Sequence, residues 1–213
     1  KSLDVGNSTS LTTLEVCNNT QLADIDVDGC PNLQTMTCTN NKLDSLDVSS
    51  NVKLTALHCS YNDLPTLNLV SNTALTDLAC DYNELTSLDV SALTKLVNLS
   101  CTGNHLTTLN VNGTTSLEDL YVNSNQLTSL DVSNNLELKY LGASYNELTS
   151  LDVSRNTALE GLYVVLNKLT TINLSNNPLL TNLSIGENQL TSLDLSNNPL
   201  LTYLSVHSNK YAV

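Results

Sequence analysis

The chain has 213 residues, with 21 Asp and Glu against eight Lys and Arg, which gives a net charge of −13 at pH 7. Nucleic acids and anionic membrane surfaces are bound through clusters of basic groups, and the few Lys and Arg here do not cluster, so this composition argues against both partners. No apolar run is long enough to span a bilayer, and we expect no direct membrane insertion.

The sequence is a series of repeated units. A half-unit, Leu3-Asp4-Val5, comes first, and the first full unit has 22 residues whereas the later ones have 21. Full units begin at Leu11, Leu33, Leu54, Leu75, Leu96, Leu117, Leu138, Leu159 and Leu180, and a partial unit begins at Leu201. The extra residue of the first unit is predicted to lie in a turn near Gln21. Since no linker interrupts the series, we expect one domain over residues 1–213, with partial coils at 1–10 and 201–213.

Each unit contains two halves that follow the pattern LxxLxLxxN. The alternating LxL of each half indicates a short strand, and no helical stripe is sustained. The pattern predicts a mostly β fold of about ten stacked coils, with two short parallel strands per coil and little helix. In the unit that begins at Leu54, the side chains predicted to point inward are Leu54, Leu57, Cys59, Leu64, Leu67 and Leu69.

The repeated motif LxxLxLxxNxL resembles the leucine-rich repeat family over essentially the whole chain. One instance is Leu54-x-x-Leu57-x-Cys59-x-x-Asn62-x-Leu64, and the motif is most similar to the short, 21-residue bacterial class. The resemblance implies a right-handed solenoid, which we expect to curve only weakly because both halves are strand-like. It also implies protein binding and an extracellular or cell-surface location in a bacterium.

Two columns of Asn recur at one position in each turn. The first follows the first strand of each unit, and the second follows the second strand. A buried amide needs hydrogen-bond partners, so both columns are predicted to bond backbone groups within the turns. The first comprises Asn41, Asn62, Asn83, Asn104, Asn125, Asn146, Asn167, Asn188 and Asn209; the second comprises Asn51, Asn72, Asn135, Asn156, Asn177 and Asn198.

Four cysteines stand one unit apart, at Cys38, Cys59, Cys80 and Cys101. Zinc needs ligands that converge on one point, whereas residues in a row along a sheet are spaced about 4.8 Å apart and diverge. Later units place Val, Ala or Ile in the same slot, so core filling is favoured over a metal site or a disulfide. We therefore predict no metal site.

An outward column in the second half of the units carries Asp or Asn. It runs through Asp26, Asp47, Asn68, Asp89, Asn110, Asp131, Asp152, Asn173 and Asp194. A hydrated, hydrogen-bonded face is favoured, and a cation site is the alternative.

The outward residues of the first half vary from unit to unit, and seven of the eight Tyr lie on or beside this face. Tyr combines apolar area with a hydroxyl at low entropic cost and is enriched at interfaces. Val165 and Leu166 add apolar residues where other units carry pairs such as Ser144-Tyr145. The candidate binding residues are Tyr121, Tyr140, Tyr145, Tyr163, Val165 and Leu166, followed by Tyr61, Tyr82 and His58.

These features favour a non-catalytic module that recognises a protein through the variable face. No nucleophile–base pair is evident from spacing, so we expect no enzyme activity and no cofactor. The alternatives are a structural spacer or a surface protein that self-associates end to end. A glycan-binding module or a polysaccharide-active enzyme is less favoured.

Overall fold

The computed structural model describes residues 1–211, so the last two residues of the predicted final partial coil lie outside the described residues. Within residues 1–211 the chain forms twelve three-residue strands and no helix, so no helix there could cross a membrane. The strands are β1 Ser2–Asp4, β2 Thr13–Glu15, β3 Asp24–Asp26, β4 Thr35–Thr37, β5 Ala56–His58, β6 Asp77–Ala79, β7 Asn98–Ser100, β8 Asp119–Tyr121, β9 Tyr140–Gly142, β10 Gly161–Tyr163, β11 Asn182–Ser184 and β12 Tyr203–Ser205.

The first halves of the units build one ten-stranded parallel sheet. It contains β2 and β4 to β12, each strand paired with the equivalent strand of the adjacent unit. The register follows the repeat, since Leu57 pairs with Leu78, one 21-residue unit later. At the longer first unit Leu14 pairs with Met36 instead, and the turn at residues 20–21 accommodates the extra residue. This is the predicted parallel solenoid of about ten coils. Its handedness and curvature stay predictions.

The prediction of a second strand in every coil is wrong for most of the chain. Within residues 1–211, second halves pair as strands only at β1 with β3, and a single bridge joins Asp89 to Asn110. Asp and Ser have low strand propensity, and the central Asp or Asn side chain takes the backbone N–H two residues later, which competes with a ladder. Because Asp4 and Asp26 make the same contact within β1 and β3, this contact weakens a ladder but does not forbid one.

The core lies between the two halves and runs along the solenoid. All six residues predicted to point inward in the unit at Leu54 are buried, and the buried apolar cluster extends from Leu22 to Leu190. At the last coil Tyr211 is partly buried and packs against this cluster. Each coil between the two ends of the stack buries both of its faces against neighbours, so stacking supplies the burial that a single coil cannot provide.

The first Asn column ties each coil to the one before it. The Nδ2 of Asn104 donates to the carbonyl of Cys101 in its own coil (3.0 Å) and to that of Cys80 in the preceding coil (3.1 Å). Its Oδ1 accepts the N–H of Leu85 in the preceding coil at 3.1 Å. The equivalent Asn side chains, from Asn62 to Asn188, repeat both inter-coil bonds. This column therefore satisfies backbone groups that the turns would leave unpaired.

The second Asn column donates hydrogen bonds but accepts none from the part of the chain that the structure describes. The Nδ2 of Asn156 donates to the carbonyls of Val132 and Asn135 in the preceding coil, at 3.0 and 2.8 Å. Its buried Oδ1 has no partner among residues 1–211, and the same holds for the other five members of the column. The two columns were predicted to play the same role, but only the first uses both ends of its amide.

The outward Asp and Asn residues of the second half form local turns. The Oδ1 of Asp47 accepts the N–H of Ser49 at 2.9 Å, and Asn68 accepts that of Val70 at 3.2 Å. Hydrogen bonds from Ser lower the pKa of five Asp carboxyls in the column, those of Asp47, Asp89, Asp131, Asp152 and Asp194. A turn-forming role explains why Asp and Asn alternate here, because both side chains provide the accepting oxygen.

The four-cysteine column is part of the core. Cys38, Cys59, Cys80 and Cys101 are free thiols with no exposed surface. Burial raises the pKa of Cys38 to about 12 and raises that of the other three well above its ordinary value. These thiols are therefore protonated at neutral pH, whereas metal ligation and nucleophilic attack require the thiolate.

Replacing Asn104 by Ala should destabilise the chain more than replacing Asn156 by Ala. The first change leaves buried donors and acceptors of the backbone unpaired, at about 1–3 kcal/mol for each group, so we expect a loss of about 3 kcal/mol or more. The second removes donors only and also removes an unpaired oxygen, so its cost should be smaller. Urea unfolding followed by circular dichroism measures both, with exposed Asn134→Ala as the control, and equal losses at positions 104 and 156 would contradict the assignment.

Acid should weaken the local turns of the second half. A carboxyl whose folded pKa is lowered contributes stability that is present above its unfolded pKa, about 3.8, and is lost as the pH falls through the folded pKa. Between about pH 4 and pH 2 we therefore expect the thermal midpoint of the native chain to fall further than that of a variant in which Asp47, Asp89, Asp131, Asp152 and Asp194 are all changed to Asn. The Asn side chain keeps the accepting oxygen but carries no titrating carboxyl.

Loss of negative charge on acidification also reduces repulsion, so a charge-matched control is needed. The carboxyls of Glu15, Asp24, Asp28, Asp44 and Glu137 are exposed and accept no backbone N–H within residues 1–211. Amide substitutions at these five positions should leave the acid sensitivity in place. A pH profile in which this control and the five-Asn variant coincide would contradict the turn-forming role.

Alkylation should distinguish Cys17 from the buried thiols. Cys17 is only partly buried, whereas Cys30 and the column of four have no exposed surface. We expect iodoacetamide at pH 8 to modify Cys17 alone in the folded chain and all six cysteines in urea, as counted by mass spectrometry. Native modification of Cys59 or Cys80 at the rate of Cys17 would show that the column is open to solvent.

Candidate functional site

The outward face of the ten-stranded sheet carries the candidate residues. In β4 to β11 the middle residue is buried and the first and third residues face outward, because side chains alternate across a strand. Tyr121 and Tyr163 are third residues, in β8 and β10, and Tyr140 is the first residue of β9. The structure therefore brings these three tyrosines together on consecutive coils.

Two glycines form the floor beneath the tyrosine rings. Gly142 lies in register between Tyr121 and Tyr163, and Gly161 lies beside Tyr140. A Cβ at Gly142 would be 2.8 Å from Cδ1 of Tyr121, and a Cβ at Gly161 would be 2.7 Å from Cδ1 of Tyr140 and 3.1 Å from Cε2 of Tyr163. The rings thus lie across bare backbone, an arrangement in which aromatic side chains cover strand glycines. We call Tyr121, Tyr140, Tyr163, Gly142 and Gly161 the tyrosine patch.

Acidic groups border the tyrosine patch. The hydroxyl of Tyr140 donates to Oε2 of Glu160 at 2.8 Å, and Nζ of Lys139 contacts Oε2 of Glu118 at 2.7 Å. The hydrogen bond to Glu160 raises the pKa of Tyr140. Burial and the nearby Glu118 raise the pKa of Asp119, whose Oδ1 is buried and has no hydrogen-bond partner in the described part of the chain.

Burial also raises the pKa of Tyr121, with smaller contributions from Asp119 and Tyr163. Tyr121 therefore stays a neutral phenol in the pH range where the flanking carboxyls are charged. The patch combines an apolar aromatic surface with a negative border, an arrangement suited to recognition by contact area and charge.

A second set of bulky residues, three Tyr and one Leu, lies in the turns just before the first Asn column. Tyr61, Tyr82, Tyr145 and Leu166 occupy this position with φ values between 50° and 58°. Bulky residues are uncommon in the left-handed region, and Gly103, with φ of 67°, is the residue type that fits it without strain. The four residues in this strained conformation all have exposed side chains, with 40–55% exposure for Tyr61, Tyr82, Tyr145 and Leu166.

Tyr61 and Tyr82 form a stacked pair away from the tyrosine patch. Their ring centroids are 4.6 Å apart with an interplanar angle of 15°. The ring of Tyr82 also packs against the backbone of Gly103. His58 lies in the same coil as Tyr61, and its Nε2 is 3.4 Å from Oδ2 of Asp77. The candidate residues therefore form two groups: His58 with Tyr61 and Tyr82, and the tyrosine patch with Tyr145, Val165 and Leu166.

A hydrogen-bonded ladder at the ends of the strands stops at Val165. The Oγ of Ser60 accepts the N–H of Asp81 at 3.0 Å, Oδ1 of Asp81 accepts that of Thr102 at 2.7 Å, and Oγ of Ser144 accepts that of Val165 at 3.0 Å. Val165 has no acceptor to offer the next coil. It is only partly buried, so the predicted apolar substitution at Val165 and Leu166 lies at the edge of the outward face.

Sequence reasoning missed Asp119, Glu160 and the two glycines as parts of this site. Glycine within a strand marks a close approach of other atoms to the backbone, which is the signal at Gly142 and Gly161. No comparable signal pointed to the hydrogen bond between Tyr140 and Glu160, because those residues are 20 positions apart and meet only through the stacking of coils.

Parallel three-residue strands, 21-residue coils and Asn-tied turns define a repeat solenoid of the leucine-rich repeat type. Solved structures of that type superimpose on 95–97% of the chain, which therefore has the leucine-rich repeat fold. No protein-family model and no curated protein matches the sequence.

Two bacterial structures from Listeria monocytogenes are similar to the chain. The functional domain of InlJ, described as including a cysteine ladder, has 36% identity and a TM-score of 0.94 over 95% of this chain and 45% of that chain. An internalin, InlF, has 25% identity and a TM-score of 0.76 over 95% of this chain and 69% of that one. The chain thus spans less than half of the InlJ chain.

The fold also occurs in an assembly of several proteins. A structure of an octameric complex of Latrophilin 3, Unc5D and the leucine-rich repeats of FLRT2 matches 97% of this chain and 70% of that chain, with 23% identity and a TM-score of 0.81. At this identity the likeness concerns the fold alone.

Proposed function

We propose that the chain is a non-catalytic binding module that recognises a protein through the outward face of the ten-stranded sheet, with the tyrosine patch at its centre. The observation that carries this proposal is the layer of three tyrosines over Gly142 and Gly161. Leucine-rich repeats of this kind occur in protein assemblies such as the FLRT2 complex, which supports the general role.

The chemistry of the patch fits a protein interface. Tyr offers a large, rigid contact surface that loses little entropy on binding, and such residues contribute most of the energy at interfaces. Tyr145 and Leu166 extend the apolar surface from the turns beside the patch, and both are exposed. Charged residues at the border supply orientation and register.

The opposite side of each coil is a poorer candidate. Its outward Asp and Asn side chains take backbone N–H groups of their own turns, so their oxygens are partly used. Ser and Thr between them give small, uniform contacts. Recognition of a specific partner needs differences between coils, and the first face provides them.

We also propose that the protein acts at the surface of a bacterium or outside it. This proposal rests on the likeness to InlJ and InlF of Listeria monocytogenes. Protein recognition at such a location needs neither a cofactor nor a reacting group, and we propose no reaction.

Peptides selected on the folded chain test the binding face. Phage-displayed random peptides would be selected on the native chain, and the affinity of the best binders measured against Tyr121→Ala, Tyr140→Ala and Tyr163→Ala combined. We expect at least a thirtyfold rise in Kd, because loss of central aromatic anchors removes about 2 kcal/mol or more.

The matched control changes the other face of the same stretch of coils. Ser129→Ala, Ser150→Ala and Thr171→Ala combined alters three exposed residues, and we expect less than a twofold change in Kd. Removing rings that lie over glycine creates no clash, and thermal unfolding would confirm that both variants are folded. Selected peptides that bind the tyrosine variant as tightly as the native chain would overturn the proposed face.

A further inference from the structure

We propose that the tyrosine patch takes a basic side chain, a Lys or Arg of the protein partner, with its cationic group directed to Asp119. This inference rests on the proposed function, and it specifies the chemistry of the partner at that same face.

Asp119 lies at a corner formed by two of the tyrosines. It is the first residue of β8 and Tyr121 is the third, so both side chains leave the strand on the outward side. In the adjacent strand Tyr140 is in register with Asp119. Asp119 therefore has Tyr121 beside it on its own strand and Tyr140 beside it on the next strand.

The carboxylate of Asp119 lacks the partners that such a group usually has. Its Oδ1 is buried and accepts no hydrogen bond from any residue in the range 1–211. The basic residue of the adjacent coil, Lys139, is bonded to Oε2 of Glu118 instead. Asp119 as a whole is only partly buried, and an incoming N–H donor with positive charge that reaches its accessible side offsets the cost of holding a charged carboxylate there.

The tyrosine rings suit the remainder of a basic side chain. The rings of Tyr121, Tyr140 and Tyr163 lie over Gly142 and Gly161, which keeps them close to the sheet and presents them to the outside. Aromatic faces attract Lys and Arg cations, and the methylene stems of those side chains pack on apolar surface. A neutral or acidic partner residue would gain only part of these contacts.

The charge around the patch points the same way. Three carboxyl groups, those of Glu118, Asp119 and Glu160, stand at its border with Lys139 as the single basic residue among them. The whole chain carries −13, so a basic partner is attracted at long range as well as at contact. No three His, Cys, Asp or Glu in the described chain are grouped to hold a metal ion, which favours a side-chain cation over a metal.

Fluorescent peptides of defined charge test the inference. The probes are three 12-residue Gly-Ser peptides that carry Arg, Lys or the neutral Arg isostere citrulline at the same three positions. Fluorescence anisotropy at 50 and 150 mM salt gives the Kd of each for the native chain, for Asp119→Asn and for Asp194→Asn. Position 194 lies on the opposite side of the coil, and the change there removes the same charge and keeps the local hydrogen bond.

We expect the Arg and Lys probes to bind the native chain and the citrulline probe to bind at least tenfold more weakly. Asp119→Asn should raise the Kd of the Arg probe at least fivefold, and Asp194→Asn should change it less than twofold. Since Oδ1 of Asp119 accepts no bond within the described residues, Asp119→Asn should leave the thermal midpoint unchanged or raise it.

Three results would overturn the inference. They are equal weakening by the two Asn variants, binding of citrulline as tight as that of Arg, and no binding of either basic probe at millimolar concentration. Failure here is distinguishable from failure of the proposed function. Selected peptides that lose binding to the triple tyrosine variant but are indifferent to Asp119→Asn would remove the basic side chain and leave the binding face in place.

Discussion

The structure depends on one amide per coil that bonds to two coils at once. The side chain of Asn104 donates to carbonyls of its own coil and the preceding one and accepts an N–H from the preceding one. Strands of three residues form few ladder bonds, so these amides add to the backbone bonds that hold the register of the stack, such as the one from Cys101 to the carbonyl of Tyr121. Once the register is set, the leucines of successive coils meet and the apolar cluster becomes continuous. The positions of the outward residues follow from this packing, because in each strand they alternate with the inward residues that the core holds in place.

Most of the fold could be predicted because the repeat reports each inward position many times. The burial of Leu54, Leu57 and Cys59 follows from alternation within LxxLxL, and so does the parallel sheet. The second strand was predicted wrongly for most coils because the same alternation appears there. The motif records which side chains point inward, whereas a ladder also requires free backbone N–H groups. The side chain of Asp47 competes for one of these in its own turn, which weakens a ladder without forbidding it.

The candidate site was only partly predictable. Tyr121, Tyr140 and Tyr163 could be placed on one face by counting residues, since the unit length is constant there. The orientations of their rings could not be predicted, because the direction of a ring depends on the residue that it contacts in the next coil. The stacked pair of Tyr61 and Tyr82 and the bond from Tyr140 to Glu160 are contacts of this kind. The spacing of residues along the chain predicts where a side chain lies on the face, but it does not predict which residue of the adjacent coil that side chain contacts.

The glycines beneath the rings limit how this surface can change over evolution. A methyl group at Gly142 would meet the ring of Tyr121, and one at Gly186 would meet the ring of His207. A substitution at the glycine is therefore tolerated only after the aromatic neighbour has moved or been replaced, and loss of that neighbour exposes bare backbone. Adjacent coils must consequently change in pairs and in a favoured order. Tandem duplication of a single coil would leave one of the two copies without its matching neighbour, whereas duplication of two coils together would copy a working pair.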